Sequence, residues 1–274
     1  MTWTSVRVTS TEARREAVSA ALFEAGSQGL QEDGAALVTH FPADADLDAV
    51  RAAVLRADAD AEVTTAPVPP VDWTEKWKER IGAHSLGSLT VAPPWLAGEL
   101  DPATTIVVEP GMAFGTGEHA TTRGVVRLMQ GVVRAGDVVA DLGAGSAVLA
   151  IAAAKLGAAR VAAVEMDPEA IGNAEENVAR NGVADRVSVM QGDAGLLLPL
   201  IAPVRLVLAN IISSVLTELL PTIGAALTKD GQAIISGILQ TERADMLAVL
   251  AAHGWRVDAE DAEDIWWSAR ISRQ

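Results

Sequence analysis

The sequence predicts an α/β chain: a large, doubly wound, mainly parallel seven-stranded sheet of Rossmann-like type ending in an antiparallel hairpin, preceded by a small ferredoxin-like α+β domain. Three observations carry the prediction. From Thr104 onward, short apolar runs alternate with helical stretches of about 10–15 residues, the rhythm of strands joined by helical crossovers. The last two strand-like runs have no helix between them, which requires an antiparallel pair. Residues 1–65 follow a different order, and 274 residues leave room for one large domain and one small one.

At the start, Trp3, Ser5 and Arg7 alternate with Thr4, Val6 and Val8, the period-two pattern of a strand. Thr11 then opens a helical run with acid in its first turn and Gly26 as its stop. Strand-like segments at 27–32 and 35–40, a helix at 47–57 and a strand at 61–65 complete a β-α-β-β-α-β order. Ala66-Pro-Val-Pro-Pro-Val71 is stiff and polyproline-prone, so the boundary falls there. The division is a domain at 1–65, a linker at 66–83 and a second domain at 84–274. Within the linker Trp73 and Trp77 share one helical face, the pattern of a helix stapled to its neighbour by two indoles.

In the second domain the predicted strands are 138–141, 160–165, 187–190, 205–209 and 232–236. Helices are predicted at 123–131, 147–156, 168–181, 212–227 and 241–253, and the closing hairpin pairs 255–260 with 265–271.

Composition excludes whole classes of chemistry. There is no cysteine, so no disulfide, thiolate metal site or thiol nucleophile, and no tyrosine to act as a phenolic acid or base. The net charge of −15 would repel a phosphate backbone, so direct nucleic-acid binding is not expected, whereas a basic protein would be attracted. Charged residues interrupt every candidate apolar run of about 18 residues, so no membrane span is predicted. Met1–Arg7 lacks a basic stretch leading into an apolar one, which makes the cytoplasm the expected compartment. Four histidines without ligand-like spacing give no metal site.

The strongest chemical signal is Val138-Val-Ala-Asp141-Leu-Gly143-Ala-Gly145-Ser-Ala-Val-Leu149: a buried strand, a glycine turn and a helix start, where an open α/β sheet takes its ligand. A lone Gly-x-Gly also serves purely steric turns. Glu165 adds weight, since it ends the next strand, where a carboxylate can accept both hydroxyls of a ribose. A dinucleotide site would have a third glycine at Val148. S-Adenosylmethionine has no phosphate but carries an ammonium and a sulfonium, for which Asp141 is suited, and Asp193 after the third strand could accept from the adenine amine. Each acid alone reads more readily as a surface or capping carboxylate; the three together point to a cationic adenosyl ligand.

Two further clusters matter. Glu109-Pro-Gly-Met-Ala-Phe114-Gly115-Thr116-Gly117-Glu-His119-Ala-Thr-Thr122 precedes a helix that Thr121 or Thr122 would cap, and Gly115 and Gly117 let the backbone lie against a ligand. His119 suits either a general base or a loop brace. Asn210, in Ala209-Asn-Ile-Ile-Ser213, ends the fourth strand, the position facing the transferred methyl in doubly wound methyltransferases. Enzymes acting on flat amides or base amines commonly carry Asn-Pro-Pro-Tyr there; the aliphatic Asn-Ile-Ile-Ser disfavours a stacked target and suits a flexible amine.

Gly115-Thr-Gly-Glu-His-Ala-Thr-Thr122 resembles the Gly-Thr-Gly-x-His-x-Thr-Thr of the PrmA family, methyltransferases of ribosomal protein L11. The resemblance extends to Asp72-Trp73, Trp77, Glu109–Phe114, the Asp-Leu-Gly-Ala-Gly turn, Asn210-Ile211 and Ser236-Gly-Ile-Leu239. It implies S-adenosylmethionine contacts from Thr122, Gly143, Glu165 and Asn210; Phe114, Gly115, Thr116 and Gly145 are expected to join them, with Asn210 as the catalytic residue. It also implies that the N-terminal domain recognises the basic protein; a monomer is the expected state. Departures are Glu165 for the family's frequent Asp, Ala144 and Ala147 in the turn, and Ile212-Ser213 for Leu-Ala. The alternatives are a lysine methyltransferase for another protein, such as the electron-transfer flavoprotein β subunit, a non-catalytic adenosyl-binding adaptor, and a dinucleotide oxidoreductase.

Overall fold

Alternating burial shapes the N-terminal unit, residues 1–80 of the two units into which the chain divides. A computed structural model describes residues 3–27, 29–34, 36–42, 44–68, 81–109, 115 and 117–274. The first unit holds β1 (Trp3–Thr9), α1 (Arg15–Glu24), β2 (Gln31–Asp33), β3 (Ala36–Pro42), α2 (Leu47–Ala57) and β4 (Glu62–Val68). The strands form one antiparallel sheet in the order β2-β3-β1-β4. Val6, Val8, Leu37 and Phe41 pack against Val18 and Leu22 of α1 and Val50 and Val54 of α2. Period-two and helical patterns therefore meet in one core.

Local details differ from expectation. Thr11 does not cap: a 3-10 turn, Glu12–Arg14, comes first, and α1 begins at Arg15. Strand β4 runs on to Val68 and takes in Pro67, which an edge strand tolerates because its outward N–H needs no partner. The helix predicted around Trp73 and Trp77 lies outside the described residues.

The second unit, residues 81–274, opens with three short strands that the sequence did not reveal. They are β5 (His84–Leu86), β6 (Leu89–Ala92) and β7 (Thr105–Val107), paired in that order. Helix α3 (Ala120–Met129) leads into β8 (Val138–Leu142), α4 (Val148–Lys155), β9 (Arg160–Glu165), α5 (Pro168–Arg180) and β10 (Val187–Gln191). Then come α6 (Ala194–Ile201), β11 (Val204–Asn210), α7 (Ser213–Ala226), β12 (Leu227–Leu239), α8 (Arg243–Ala252), β13 (Trp255–Glu263) and β14 (Trp266–Arg273).

The seven long strands lie in the order β10-β9-β8-β11-β12-β14-β13. The first five are parallel, and β14 and β13 pair antiparallel at the end, as predicted. Burial explains why the parallel strands read as continuous apolar runs. On β11, Leu206 and Leu208 enter the layer with α3 and α4, while Val207 and Ala209 enter the layer with α7. Helix α6 went unpredicted because Gly195 and Pro199 disrupt its pattern; Asp193 caps it by accepting from the Leu196 amide at 3.0 Å.

Register brings the carboxyl ends of β8, β9, β10 and β11 to one edge, with Glu165 opposite Gln191 and Asn210 opposite Ser236. Leu208 is fully buried at the centre of this sheet, so Leu208→Ala should cost about 2–5 kcal/mol, read as a lower urea midpoint for the second unit. An unchanged midpoint would contradict the assigned layer.

Candidate active site

The glycine turn after β8 is built by backbone constraint. Gly143 has φ +71°, and a Cβ there would lie 2.5 Å from Ile211 Cγ2; Gly145 has φ +51°. The Gly143 and Ala144 amides donate to the Val164 carbonyl at 2.9 and 3.0 Å, fastening the turn to β9. Glu165 then reaches back across it. Its Oε2 accepts from the Gly145 amide at 2.8 Å, and its Oε1 accepts from the Met166 and Asp167 amides at 2.8 and 2.9 Å. A carboxylate thus occupies the amide that a pyrophosphate would need.

The turn borders a cleft of about 590 Å³ at the carboxyl edge, lined by Gly143, Gly145, Glu165 and Asn210 with His119 and Trp266 at one side. A second lobe of about 400 Å³ shares Gly143, Glu165, Ile211 and Val215 and extends to Asp193. Neither lobe is lined by a lysine or an arginine among the described residues.

The fold therefore brings together Gly143, Gly145, Glu165 and Asn210, and sets Asp193 in the adjoining lobe. Two expected contacts are not assembled. Asp141 shares its face of β8 with Val139, has no exposed surface, and turns its Oδ2 to the Ala150 amide of α4 at 3.0 Å rather than to the cleft. Thr122 is likewise fully buried, lines neither lobe, and its hydroxyl has no partner among the described residues. Nor does either threonine cap α3: His119 does, its Nδ1 facing the Thr121 amide at 3.4 Å and the Thr121 Oγ1 at 2.7 Å. Gly115 has φ +109° and its carbonyl accepts from Ser146 Oγ at 2.6 Å. Phe114 and Thr116 lie outside the described residues.

His119 stands edge-on to Trp266, ring centres 5.0 Å apart. Burial first, and then the Arg123 guanidinium, lower its pKa, so the ring is neutral at pH 7. Trp266 corrects the argument from Asn-Ile-Ile-Ser: an aromatic wall is present, supplied by β14 instead of by the residues after Asn210. Sequence reasoning also missed Gly237, whose φ of +83° and lack of a Cβ let Ile211 pass; a Cβ would lie 2.4 Å from the Ile211 carbonyl oxygen. Its only signal was its place in Ser-Gly-Ile-Leu.

Parallel strands in this order, closed by an antiparallel pair and carrying at their carboxyl ends an acidic cleft with no lysine or arginine among its described lining residues, define a methyltransferase of the doubly wound class. Residues 2–274 match the family model for ribosomal protein L11 methyltransferase (PrmA), and the chain belongs to that family. A "Ribosomal protein L11 methyltransferase" from Pelotomaculum thermopropionicum is 41% identical over 223 residues, covering 81% of this chain and 71% of that one. One of the same name from Exiguobacterium sp. is 32% identical over 97% of both chains. The crystal structure of a ribosomal protein L11 methylase from Lactobacillus delbrueckii subsp. bulgaricus superposes with a TM-score of 0.62 at 33% identity, covering 70% of this chain and 99% of that one. S-Adenosylmethionine is the methyl donor of the family. The cleft fits it: an acid beside a glycine turn and, among the described residues, no cationic side chain to oppose a sulfonium.

Burial pushes the Asp141 carboxyl from 3.8 up to about 7, against the pull of the Ala150 amide and with Glu165 adding to the rise. The folded chain holds this proton more tightly than the unfolded chain, so the group's contribution to stability falls as pH rises from about 4 to about 7. Asp141→Asn removes that dependence. Its stability relative to wild type should climb across this window by a few kcal/mol, at about 1.4 kcal/mol per unit. A difference that stays flat in urea titrations at several pH values would refute the assignment.

Proposed function

We propose that this chain transfers methyl groups from S-adenosylmethionine to amino groups of ribosomal protein L11, lysine side chains and the N-terminal α-amine. Family membership supports the reaction. The single observation that carries the site is the Glu165 carboxylate seated on the Gly145 amide, in a cleft whose described lining has no cationic side chain. Such a site favours a cationic nucleoside over a dinucleotide, whose phosphates need those same amides.

In this reading Glu165 accepts the ribose hydroxyls, Gly115, Gly143 and Gly145 admit the ligand close to the backbone, and Asp193 accepts from the adenine amine with whatever capacity capping leaves it. Phe114 and Thr116 keep the contacts expected of them, while Asp141 acts from behind by holding the first turn of α4. When bound, S-adenosylmethionine supplies an electrophilic methyl on a sulfonium. A lysine is mostly protonated at pH 7, about 3.4 units below its usual pKa. Ile211, Ile212, Val215 and Trp266 strip water from an entering amine, which favours its neutral form. Asn210, by its side chain and backbone carbonyl, accepts from the amine N–H and aims the lone pair, so the site needs no dedicated base.

The N-terminal unit we read as a ferredoxin-like recognition domain, residues 1–65, joined by 66–83 to the methyltransferase domain at 84–274. Its element order and sheet order support that reading. A monomer acting in the cytoplasm on a basic protein is consistent with the net charge of −15.

The test incubates the full chain with labelled donor and purified L11 and maps the label by mass spectrometry. Label on L11 amines is expected; none on L11, with label on another protein such as the electron-transfer flavoprotein β subunit, overturns the substrate assignment. Two variants should separate the roles. Asn210→Ala should lower turnover about a hundredfold while S-adenosylhomocysteine affinity stays within about twofold. Glu165→Ala should weaken that affinity about tenfold or more in calorimetry, because hydrogen bonds to a charged group are lost. Equal losses in both measurements for Asn210→Ala would remove it from the acceptor site.

A further inference from the structure

Three asparagines, Asn173, Asn177 and Asn181, recur every fourth residue along α5 and the residue after it, and so share one stripe. They treat the chain at Val107 and Glu109 as an adjacent strand would. Asn181 Oδ1 accepts from the Val107 amide at 2.8 Å and its Nδ2 donates to the Val107 carbonyl at 2.6 Å. Two residues on, Asn177 Oδ1 accepts from the Glu109 amide at 2.9 Å and Asn173 Nδ2 donates to the Glu109 carbonyl at 3.4 Å. Arg180 reinforces the second rung, donating to Asn177 Oδ1 at 3.0 Å and pairing with Glu109 at 3.4 Å.

Asn177 does more than hold that segment. It is fully buried, and its Nδ2 donates to the Ser146 carbonyl inside the glycine turn at 3.1 Å. Ser146, itself buried, passes the link on, its Oγ donating to the Gly115 carbonyl at 2.6 Å. The orientation of the amide follows from its partners: two donors, Glu109 N–H and Arg180, face Oδ1, while two acceptors, Ser146 O and Asn173 Oδ1, face Nδ2. The bonds to the Glu109 amide and the Ser146 carbonyl tie this buried side chain to backbone atoms, so losing one leaves an amide or a carbonyl without its side-chain partner.

We propose that Asn177 and Ser146 are positioning residues for the cofactor cleft: Asn177 fixes the glycine turn to Glu109, and Ser146 fixes Gly115 to the turn. This rests on the reading that the turn receives the adenosyl cofactor. Neither side chain lines the cleft, so their effect passes through the backbone they hold. A turn released from this bond would still form, but with its amides and the Glu165 contact set less accurately for the ligand.

The experiment compares S-adenosylhomocysteine binding by calorimetry, and urea midpoints, for the full chain and three variants. Asn177→Asp keeps acceptance from Glu109 but loses donation to Ser146. Asn181→Asp makes the matching change one rung away, where the bond reaches only Val107 and the helix. Ser146→Ala leaves the asparagine rungs whole and cuts the link to Gly115. The expected result is binding about tenfold weaker for Asn177→Asp and Ser146→Ala, with Asn181→Asp within about twofold of wild type despite a comparable fall in urea midpoint. The Michaelis constant for the donor should rise more than turnover falls. Wild-type affinity in both Asn177→Asp and Ser146→Ala overturns the proposal, as does an equal loss in Asn181→Asp, which would mark a general packing effect. If Asn177→Asp does not fold, Ser146→Ala decides: weakened binding supports the proposal and wild-type binding overturns it. A wild-type chain that binds no S-adenosylhomocysteine instead overturns the reading of the cleft on which this one rests.

Discussion

The bond between the Glu165 carboxylate and the Gly145 amide sets the character of the whole cleft. Backbone amides at the start of a helix are an anion site by default, because they point outward unpaired and carry the positive end of the helix dipole. Here the protein's own carboxylate takes that place, bonded also to the Met166 and Asp167 amides. The anion requirement of the turn is met internally, and the lobe in front of it is left acidic, with no cationic side chain among its described residues.

The rest of the second unit keeps that bond in place. Parallel strands bury both faces, so residues alternate between two helical layers and only the strand ends remain for chemistry. The antiparallel closing pair is what carries Trp266 to the same edge. Arg127 holds it there, donating to Asp261 at 2.8 and 2.6 Å and to Glu263 at 2.6 Å, and Arg123 donates to Glu263 at 2.9 Å. These bonds tie β13 to α3, the helix that His119 caps, and so bring tryptophan and histidine together. Two-pronged arginine–carboxylate pairs fix orientation as well as distance, which a single ammonium would not do.

Much of this was legible in the sequence because it followed from periodicity. The parallel strands, the long crossover helices and the final hairpin all announce themselves as runs of buried β-branched residues or helical stripes. The short strands β5, β6 and β7 do not, being too brief to establish alternation, and α6 is masked by Gly195 and Pro199. At the site, the residues on the strand ends and the turn were legible since topology alone brings them to one edge. Trp266 was not, because its position depends on a tertiary fold-back. Asp141 shows a third kind of difficulty: its place in the chain was right, but its direction depends on the pleat, and sharing a face with Val139 turns it toward α4.

The alanine in the turn shows where the stability of this arrangement originates. Ala147 has φ +64°, a left-handed conformation that costs an L-residue about 1–2 kcal/mol and that glycine adopts freely. The position is nonetheless occupied by a residue with a methyl group, fully buried beside Val148, Leu149 and Ile151 of the first core layer. Helix α4 has little polar surface, since every residue from Val148 to Ala154 is buried, so the interior holds it on all sides and it cannot rotate to relieve the turn. The strain is therefore confined between a rigid helix and the Val164 carbonyl that binds the Gly143 and Ala144 amides. Asn177 bonds the Ser146 carbonyl one residue before the strained position, where a small loss of support would otherwise let the turn relax. A turn held this way from behind keeps the Gly145 amide directed at the Glu165 carboxylate.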